Sequence, residues 1–366
     1  MRKYQILLVL FLGITISFSC EKNTVTDPTQ TAGFDRKAML RNFADSLILP
    51  AFSNLETETA KLEQAVAVFV QTPTESTLIA AQNTWEQAFS VWMVANAYNF
   101  GPAGEDGIRK GLIEEIGTFP VSEAKIEANI EKSVITFNDF NRDNRGLLAI
   151  EYLLFDLKGN QEALKKLQNA NRKAYLRALS SDIKGKVSTV VKDWSIYKSE
   201  FLSKVGTDVG SSTSQIYNEF VRSYESIKNF KIGLPLGLRA GQTQAEPNKV
   251  EAYYSGKSLK FVKLHLANIE NIWLGKGITD GIGFKEYLEN VEGGKALIAS
   301  TEIQLAAIKK SLAELSETQT LAQQIVVSPA KLTNFHTELQ KNTRFFKSDM
   351  SSVLGIAITF SSGDGD

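Results

Sequence analysis

Apolar residues recur every three or four positions along most of this chain, which is the spacing of one face of an α-helix. One such stripe covers residues 35–70, and a second covers residues 78–95 after a break at Thr72, Pro73 and Thr74. Pro50 lies inside the first stripe and has no backbone N–H. We therefore expect it either to kink one long helix or to separate two helices. The two stripes are predicted to pack as an antiparallel pair.

Further stripes follow at residues 164–201, 216–230, 259–273, 297–315 and 332–353. The first of these is long enough for one helix of about ten turns. Residues 103–142 are more mixed and predict only short helical pieces. The strongest internal break is the Gly- and Ser-rich segment 206–214, where we place a domain boundary. The pattern as a whole predicts an all-α fold with a break near residue 210.

One carboxylate interrupts the most apolar run of the chain, residues 145–155. Glu151 has Leu147, Leu148, Leu154 and Phe155 at helical spacing around it, so hydrocarbon should surround it on any face of a helix. An unpaired buried carboxylate is costly unless its pKa rises. The partner of Glu151 is expected to be either a structural arginine or a bound ion or ligand.

The composition excludes some partners. The chain has 41 Lys and Arg residues against 41 Asp and Glu residues, and 43% of its residues are hydrophobic. A near-neutral chain of this kind does not imply a nucleic-acid partner.

The amino terminus has the features of a lipoprotein signal peptide. Residues 1–20 combine a basic start, an apolar segment too short to span a bilayer, and Cys20, the only cysteine of the chain. Acylation of Cys20 would anchor the protein to a lipid bilayer, and the polar residues 21–34 would form a flexible tether. The alternative is an ordinary secretory signal with an incidental cysteine. We expect a cell-envelope protein, anchored in the outer membrane and facing the periplasm.

The catalytic inventory is small. The two histidines, His265 and His336, lie on different predicted helices, and no His-Glu-x-x-His motif is present. The sequence also has no Gly-x-Ser-x-Gly elbow, phosphate loop or dinucleotide fingerprint. A Ser-His-Asp triad built from distant residues stays open, and no catalytic residue is assigned.

Three segments resemble the imelysin family, also called the insulin-cleaving membrane proteases. The run from Gly146 to Glu151 is similar to the family signature Gly-x-His-x-x-Glu, with Leu148 in place of the histidine. Residues 85–102 and the Val-Glu-x-Tyr-Tyr-Ser-Gly-x-Ser-Leu segment at residues 250–259 add to the resemblance, which extends from about residue 41 to the carboxyl terminus. The resemblance implies two helical-bundle-like domains packed against each other, residues 35–205 and 214–366, with a site in the cleft between them.

The family is linked to iron or haem acquisition and is also classed with peptidases, so the resemblance implies three functions. The chain would be an iron- or haem-binding protein working with iron-uptake components, a metallopeptidase, or a non-catalytic scaffold for a protein partner. Oxygen donors around Glu151 would suit ferric iron, whereas loss of the histidine disfavours zinc. Alternatively, an arginine would pair with Glu151 or hold an anionic ligand. The candidate site residues are Glu86, Glu151, Arg239, Glu246, Glu251, Tyr253, Tyr254 and Ser255.

Overall fold

The computed structural model describes residues 33–105, 107–108 and 111–360. Within these residues every regular element is helical, which confirms the predicted all-α class. The helices before the predicted boundary are α1 Arg36–Asn42, α2 Leu49–Gln71, α3 Glu75–Ala95, α4 Leu112–Ile116, α5 Glu123–Glu131, α6 Leu147–Leu154, α7 Asn160–Lys166 and α8 Ala170–Ser203. The helices after it are α9 Ser212–Ser226, α10 Ser258–Leu274, α11 Phe284–Glu289, α12 Gly294–Ala313, α13 Leu321–Val327, α14 Pro329–Thr343 and α15 Met350–Leu354.

Helices α1 to α8, the first part, pack around the long helices α2, α3 and α8, as the two amino-terminal stripes predict. Thr74 begins α3 with a capping box in which its side chain and that of Thr77 bond each other's backbone N–H. Helix α6 packs against both α3 and α8. The indole Nε1 of Trp85 in α3 donates to the carbonyl oxygen of Leu147 at 2.7 Å, which ties the start of α6 to the bundle.

The chain stays helical through Pro50. Helix α1, a π-helical segment Phe43–Ile48 and α2 follow one another directly. The carbonyl of Ser46 would bond to the N–H of residue 50 in an α-helix, but proline offers none, and the carbonyl instead accepts from Ile278 at 2.9 Å. Pro50 thereby frees a backbone acceptor that joins the first helices to helices α9 to α15, the second part.

Two predicted helices are wrong in their extent. The stripe at residues 164–201 is not one helix, because the side chain of Asn169 caps the start of α8 by accepting from Arg172 N–H at 3.0 Å. The stripe at residues 332–353 is divided into α14, a π-helical segment Arg344–Asp349 and α15. The short helices α11 and α13 were not predicted, since each contributes only a few apolar residues.

The two parts meet along α3 and α10, where the ring of Phe261 packs edge-on against those of Trp85 and Phe89. Among the described residues no helix is long and apolar enough to cross a bilayer. The predicted signal peptide, Cys20 and the tether up to residue 32 lie outside the described residues. The exact domain bounds stay a prediction.

Candidate functional site

Helix α6 places Glu151 inside the fold. The helix begins after Gly146, whose backbone φ of +85° is a conformation that residues other than glycine rarely adopt. A Cβ atom at Gly146 would lie 2.6 Å from the carbonyl oxygen of Ile116, so the close backbone approach also requires glycine. Every residue of α6 is buried. The predicted burial of Glu151 is therefore confirmed.

Glu151 is bound by backbone of the second part. Glu151 is only 2% exposed. Its Oε1 accepts a hydrogen bond from the N–H of Ser255 at 2.7 Å. Burial raises the pKa of Glu151 to about 8, the hydrogen bonds from Ser255 oppose that rise, and the charge of Glu251 adds to it. Within the described residues no cationic side chain pairs with Glu151. The group is therefore mostly protonated at neutral pH.

A cavity of about 200 Å³ opens beside Glu151. The first part contributes residues 119–121, Glu123, Leu148 and Glu151 to its lining, and the second part contributes residues 248–250 and 252–254. The hydroxyl of Tyr254 donates to Glu123 across this boundary. The cavity is thus a cleft between the two parts with a mixed polar and apolar lining. Leu148 lies in its wall, where the family signature has histidine.

The other predicted site residues divide into two groups. Tyr254 and Ser255 lie at Glu151, and Glu251 is close enough for its charge to affect the pKa of Glu151. Glu86 instead pairs with Lys260 at 2.6 Å and Lys257 at 3.3 Å, and Glu246 pairs with Lys249 at 2.7 Å.

The predicted pairing of Glu151 with arginine is not what the structure shows. The guanidinium of Arg239 lies over the ring of Phe230, 4.4 Å from its centroid. Arg145, which directly precedes the N-cap residue of α6, pairs with Glu115 at 3.1 Å. The carboxyl group of Glu151 is satisfied by backbone N–H and by neutralisation rather than by a guanidinium.

The chemistry of this cleft comes from oxygen donors. In the part of the chain that the structure describes, no three His, Cys, Asp or Glu side chains are close enough together to hold a metal ion. The cavity does contain the carboxyl groups of Glu151 and Glu123 and the phenols of Tyr253 and Tyr254. Hard oxygen donors of this kind suit ferric iron better than zinc. Sequence reasoning missed Glu123, since its position in a short, mixed helix carries no signal.

The pH dependence of stability should reveal the buried carboxyl group of Glu151. Its pKa is raised from 4.5 in the unfolded chain to about 8 in the folded one. The folded state therefore binds the extra proton between these values, and stability falls as pH rises. Relative to Glu151→Gln, we expect wild-type unfolding free energy to fall by about 2 to 3 kcal/mol from pH 5.5 to 7.5. Urea unfolding at several pH values measures this difference, and parallel pH profiles would contradict it.

The fold and the cleft together define a class of protein: all-helical, built from two packed parts, with a buried carboxyl group where they meet. The profile of the imelysin family, peptidase family M75, matches residues 48–343. This chain therefore belongs to the imelysin family, as its sequence predicted.

Relatives and solved structures agree with this assignment. The chain is 24% identical over 300 residues to Iron-regulated protein A of Synechococcus elongatus, covering 79% of this chain and 78% of that protein. A crystal structure from Parabacteroides distasonis, assigned as an iron-regulated protein A precursor, superposes with a TM-score of 0.73 at 15% identity, covering 87% of this chain and 95% of that one. An imelysin-like protein from Psychrobacter arcticum gives a TM-score of 0.70 at 18% identity, with coverages of 91% and 98%.

Proposed function

We propose that this protein is a non-catalytic binding protein in iron acquisition, and that its ligand occupies the cleft at Glu151. The observation that carries the proposal is a buried carboxyl group whose pKa is raised and which lines a cavity to which both parts of the fold contribute. The relative named Iron-regulated protein A connects the family to iron. Replacement of the signature histidine by Leu148 removes a metal ligand that peptidase chemistry would use.

The size of the cleft favours a small ligand. Pockets for drug-sized molecules typically enclose about 300 to 1,000 Å³, whereas the cavity at Glu151 encloses about 200 Å³. A ferric ion or a small ferric chelate fits this volume better than haem does. Glu151, Glu123, Tyr253 and Tyr254 would supply oxygen ligands, and Glu151 would release its proton when iron binds.

The protein is also proposed to be a lipoprotein of the outer membrane that faces the periplasm. The support is the sequence around Cys20, whose acylation would give stable anchoring without a transmembrane helix. Mass spectrometry of the membrane-extracted protein should find a diacylated Cys20 at the amino terminus. An unmodified or internal Cys20 would overturn this part of the proposal.

Iron binding should depend on Glu151. We expect ferric nitrilotriacetate to bind wild type in calorimetric titrations, with an affinity that increases from pH 6 to pH 8 as iron displaces the proton. Glu151→Gln keeps the shape of the protonated side chain but cannot ionise, so affinity should fall at least about tenfold, or 1.4 kcal/mol.

Glu86→Gln provides the matched control for that titration. Glu86 was an equal candidate in the sequence, but neither it nor its partners Lys257 and Lys260 belong to the cleft lining. Its substitution should leave iron affinity unchanged. Equal affinities for wild type and Glu151→Gln, or no binding by wild type, would refute the proposed function.

A further inference from the structure

A second, larger cavity lies beside the cleft at Glu151. It encloses about 410 Å³ and shares only Phe119 with the lining of the cavity at Glu151. Its deepest lining residues are Trp92, Lys231, Glu251 and His265, each at most 4% exposed. The proposed function makes no use of this cavity or of the histidine in its wall.

Among the described residues, the buried polar groups that line this cavity have hydrogen-bond partners with one exception. Lys231 Nζ lies 2.6 Å from Glu251 Oε2 and 3.0 Å from the sulfur of Met93. His265 Nε2 lies 2.6 Å from Ser223 Oγ. The other ring nitrogen, Nδ1, has no hydrogen-bond partner among the residues that the structure describes, although His265 is 1% exposed. A buried polar atom without a partner is costly, so a ligand bound here would satisfy it.

The charges in the wall restrict which ligand fits. At the buried end of the cavity Lys231 and Glu251 neutralise each other. The other charged residues of the lining are exposed or half-buried, namely Glu105, Glu114 and Arg222. Burial, with the nearby charge of Lys231, lowers the pKa of His265 well below its ordinary value, so the imidazole is neutral. A charged ligand group at this buried end would find no unpaired opposite charge, and its desolvation would therefore be costly. The buried end of the ligand should therefore be polar but uncharged.

The remaining walls favour a flat apolar body. The rings of Trp92, Phe119 and Phe230 line the cavity, and aromatic faces pack well against planar rings. Gly117 also belongs to the lining, and a Cβ atom there would lie 2.6 Å from the Trp92 ring. Glycine at this position therefore lets the indole lie directly against the backbone.

We propose that this cavity binds a small uncharged molecule that carries a carboxamide group on an aromatic ring, with the carboxamide at His265 Nδ1. A carboxamide suits either tautomer of the imidazole. Its oxygen accepts if Nδ1 carries the proton, and its N–H donates if Nδ1 does not. The ring would lie among the aromatic walls, and the volume leaves room for a ring system larger than benzene.

Benzamide, benzoate and benzylamine form a matched set of probes, since they share the ring and differ in the charge of the polar group. With the full mature protein at pH 7.5, we expect ligand-observed NMR titrations to detect benzamide binding at millimolar concentrations. Benzoate and benzylamine should bind at least about tenfold more weakly, a difference of 1.4 kcal/mol. Equal binding of all three probes, or no binding of benzamide, would overturn the proposal.

Substitutions inside and outside this lining show where benzamide binds. Ile113 lines this cavity and Ile196 lines a separate one, so Ile113→Trp should abolish benzamide binding while Ile196→Trp should preserve it. His265→Gln can keep a contact to Ser223 but lacks the second ring nitrogen, and should weaken binding at least about fivefold. If Ile113→Trp binds benzamide as wild type does, the probe lies elsewhere and the assignment is wrong. Because Glu151 is not in this lining, Glu151→Gln should bind benzamide normally, which separates this test from that of iron binding.

Discussion

Replacing Lys231 with methionine is expected to destabilise the protein by about 3 to 5 kcal/mol. The ammonium group of Lys231 and the carboxylate of Glu251 lie 2.6 Å apart, and the two side chains are 3% and 5% exposed. Methionine fills a similar volume but leaves the charge of Glu251 buried without its partner. Urea unfolding followed by circular dichroism at pH 7 measures the loss.

Two further variants separate the buried pair from an ordinary loss of charge. The double substitution Lys231→Met with Glu251→Leu removes both charges, and we expect it to recover most of the stability. The pair between Lys341 and Glu338, 2.7 Å apart, is at the surface, where the Lys341 side chain is 56% exposed. Lys341→Met should therefore cost less than about 1 kcal/mol. A cost for Lys231→Met as small as that for Lys341→Met would contradict the argument.

Glu151 shows how far the sequence can locate a site. Its burial follows from the leucines at helical spacing around it. Because these leucines lie on the same helix faces as the carboxylate, the fold buries it together with them. Its partner does not follow. Ser255 is 104 residues away in sequence and bonds Glu151 through backbone N–H, a group that every residue except proline has. Type and spacing of side chains carry no information about such a contact.

Lys231 and His265 show a second limit. In the sequence Lys231 has the character of a solvated residue, yet it lies in the π-helical segment Ile227–Gly233 that continues α9. Lys231 follows Tyr224 and Ile227 at spacings of seven and four, so helical periodicity places it on the buried face of that segment. Its partner Glu251 lies 20 residues further along the chain, and the pattern carries no sign of it. His265 lies beside the apolar stripe of α10 and is 1% exposed, but the stripe does not predict its hydrogen bond to Ser223.

The long helices were predictable for a physical reason. Helices such as α2, α3 and α10 are amphipathic over several turns. Their apolar stripes therefore stay recognisable even where a single position departs from the pattern. The divisions between α7 and α8, and between α14 and α15, depend on single caps or on π-helical turns. Those features change the backbone without interrupting the apolar pattern.

Gly146→Ala is expected to cost about 2 to 6 kcal/mol, from two sources. The backbone of Gly146, at φ +85° and ψ −172°, lies in a region essentially restricted to glycine, and such strain costs about 1 to 3 kcal/mol. The added Cβ would also lie 2.6 Å from the carbonyl oxygen of Ile116. That atom belongs to backbone and cannot rotate away, so overpacking adds about 1 to 3 kcal/mol more.

Gly159→Ala separates these two sources. Gly159 precedes α7 just as Gly146 precedes α6, with φ +97° and ψ 179°, but nothing lies within 4 Å of an added Cβ. It should therefore cost only the strain, and chemical denaturation should show Gly146→Ala to be clearly the more destabilising. Because α6 carries Glu151 to the N–H of Ser255, relief of the clash by moving α6 would also lengthen that bond and weaken the iron binding proposed for this cleft. Equal stability losses for the two variants would mean that the approach of Ile116 does not fix the start of α6.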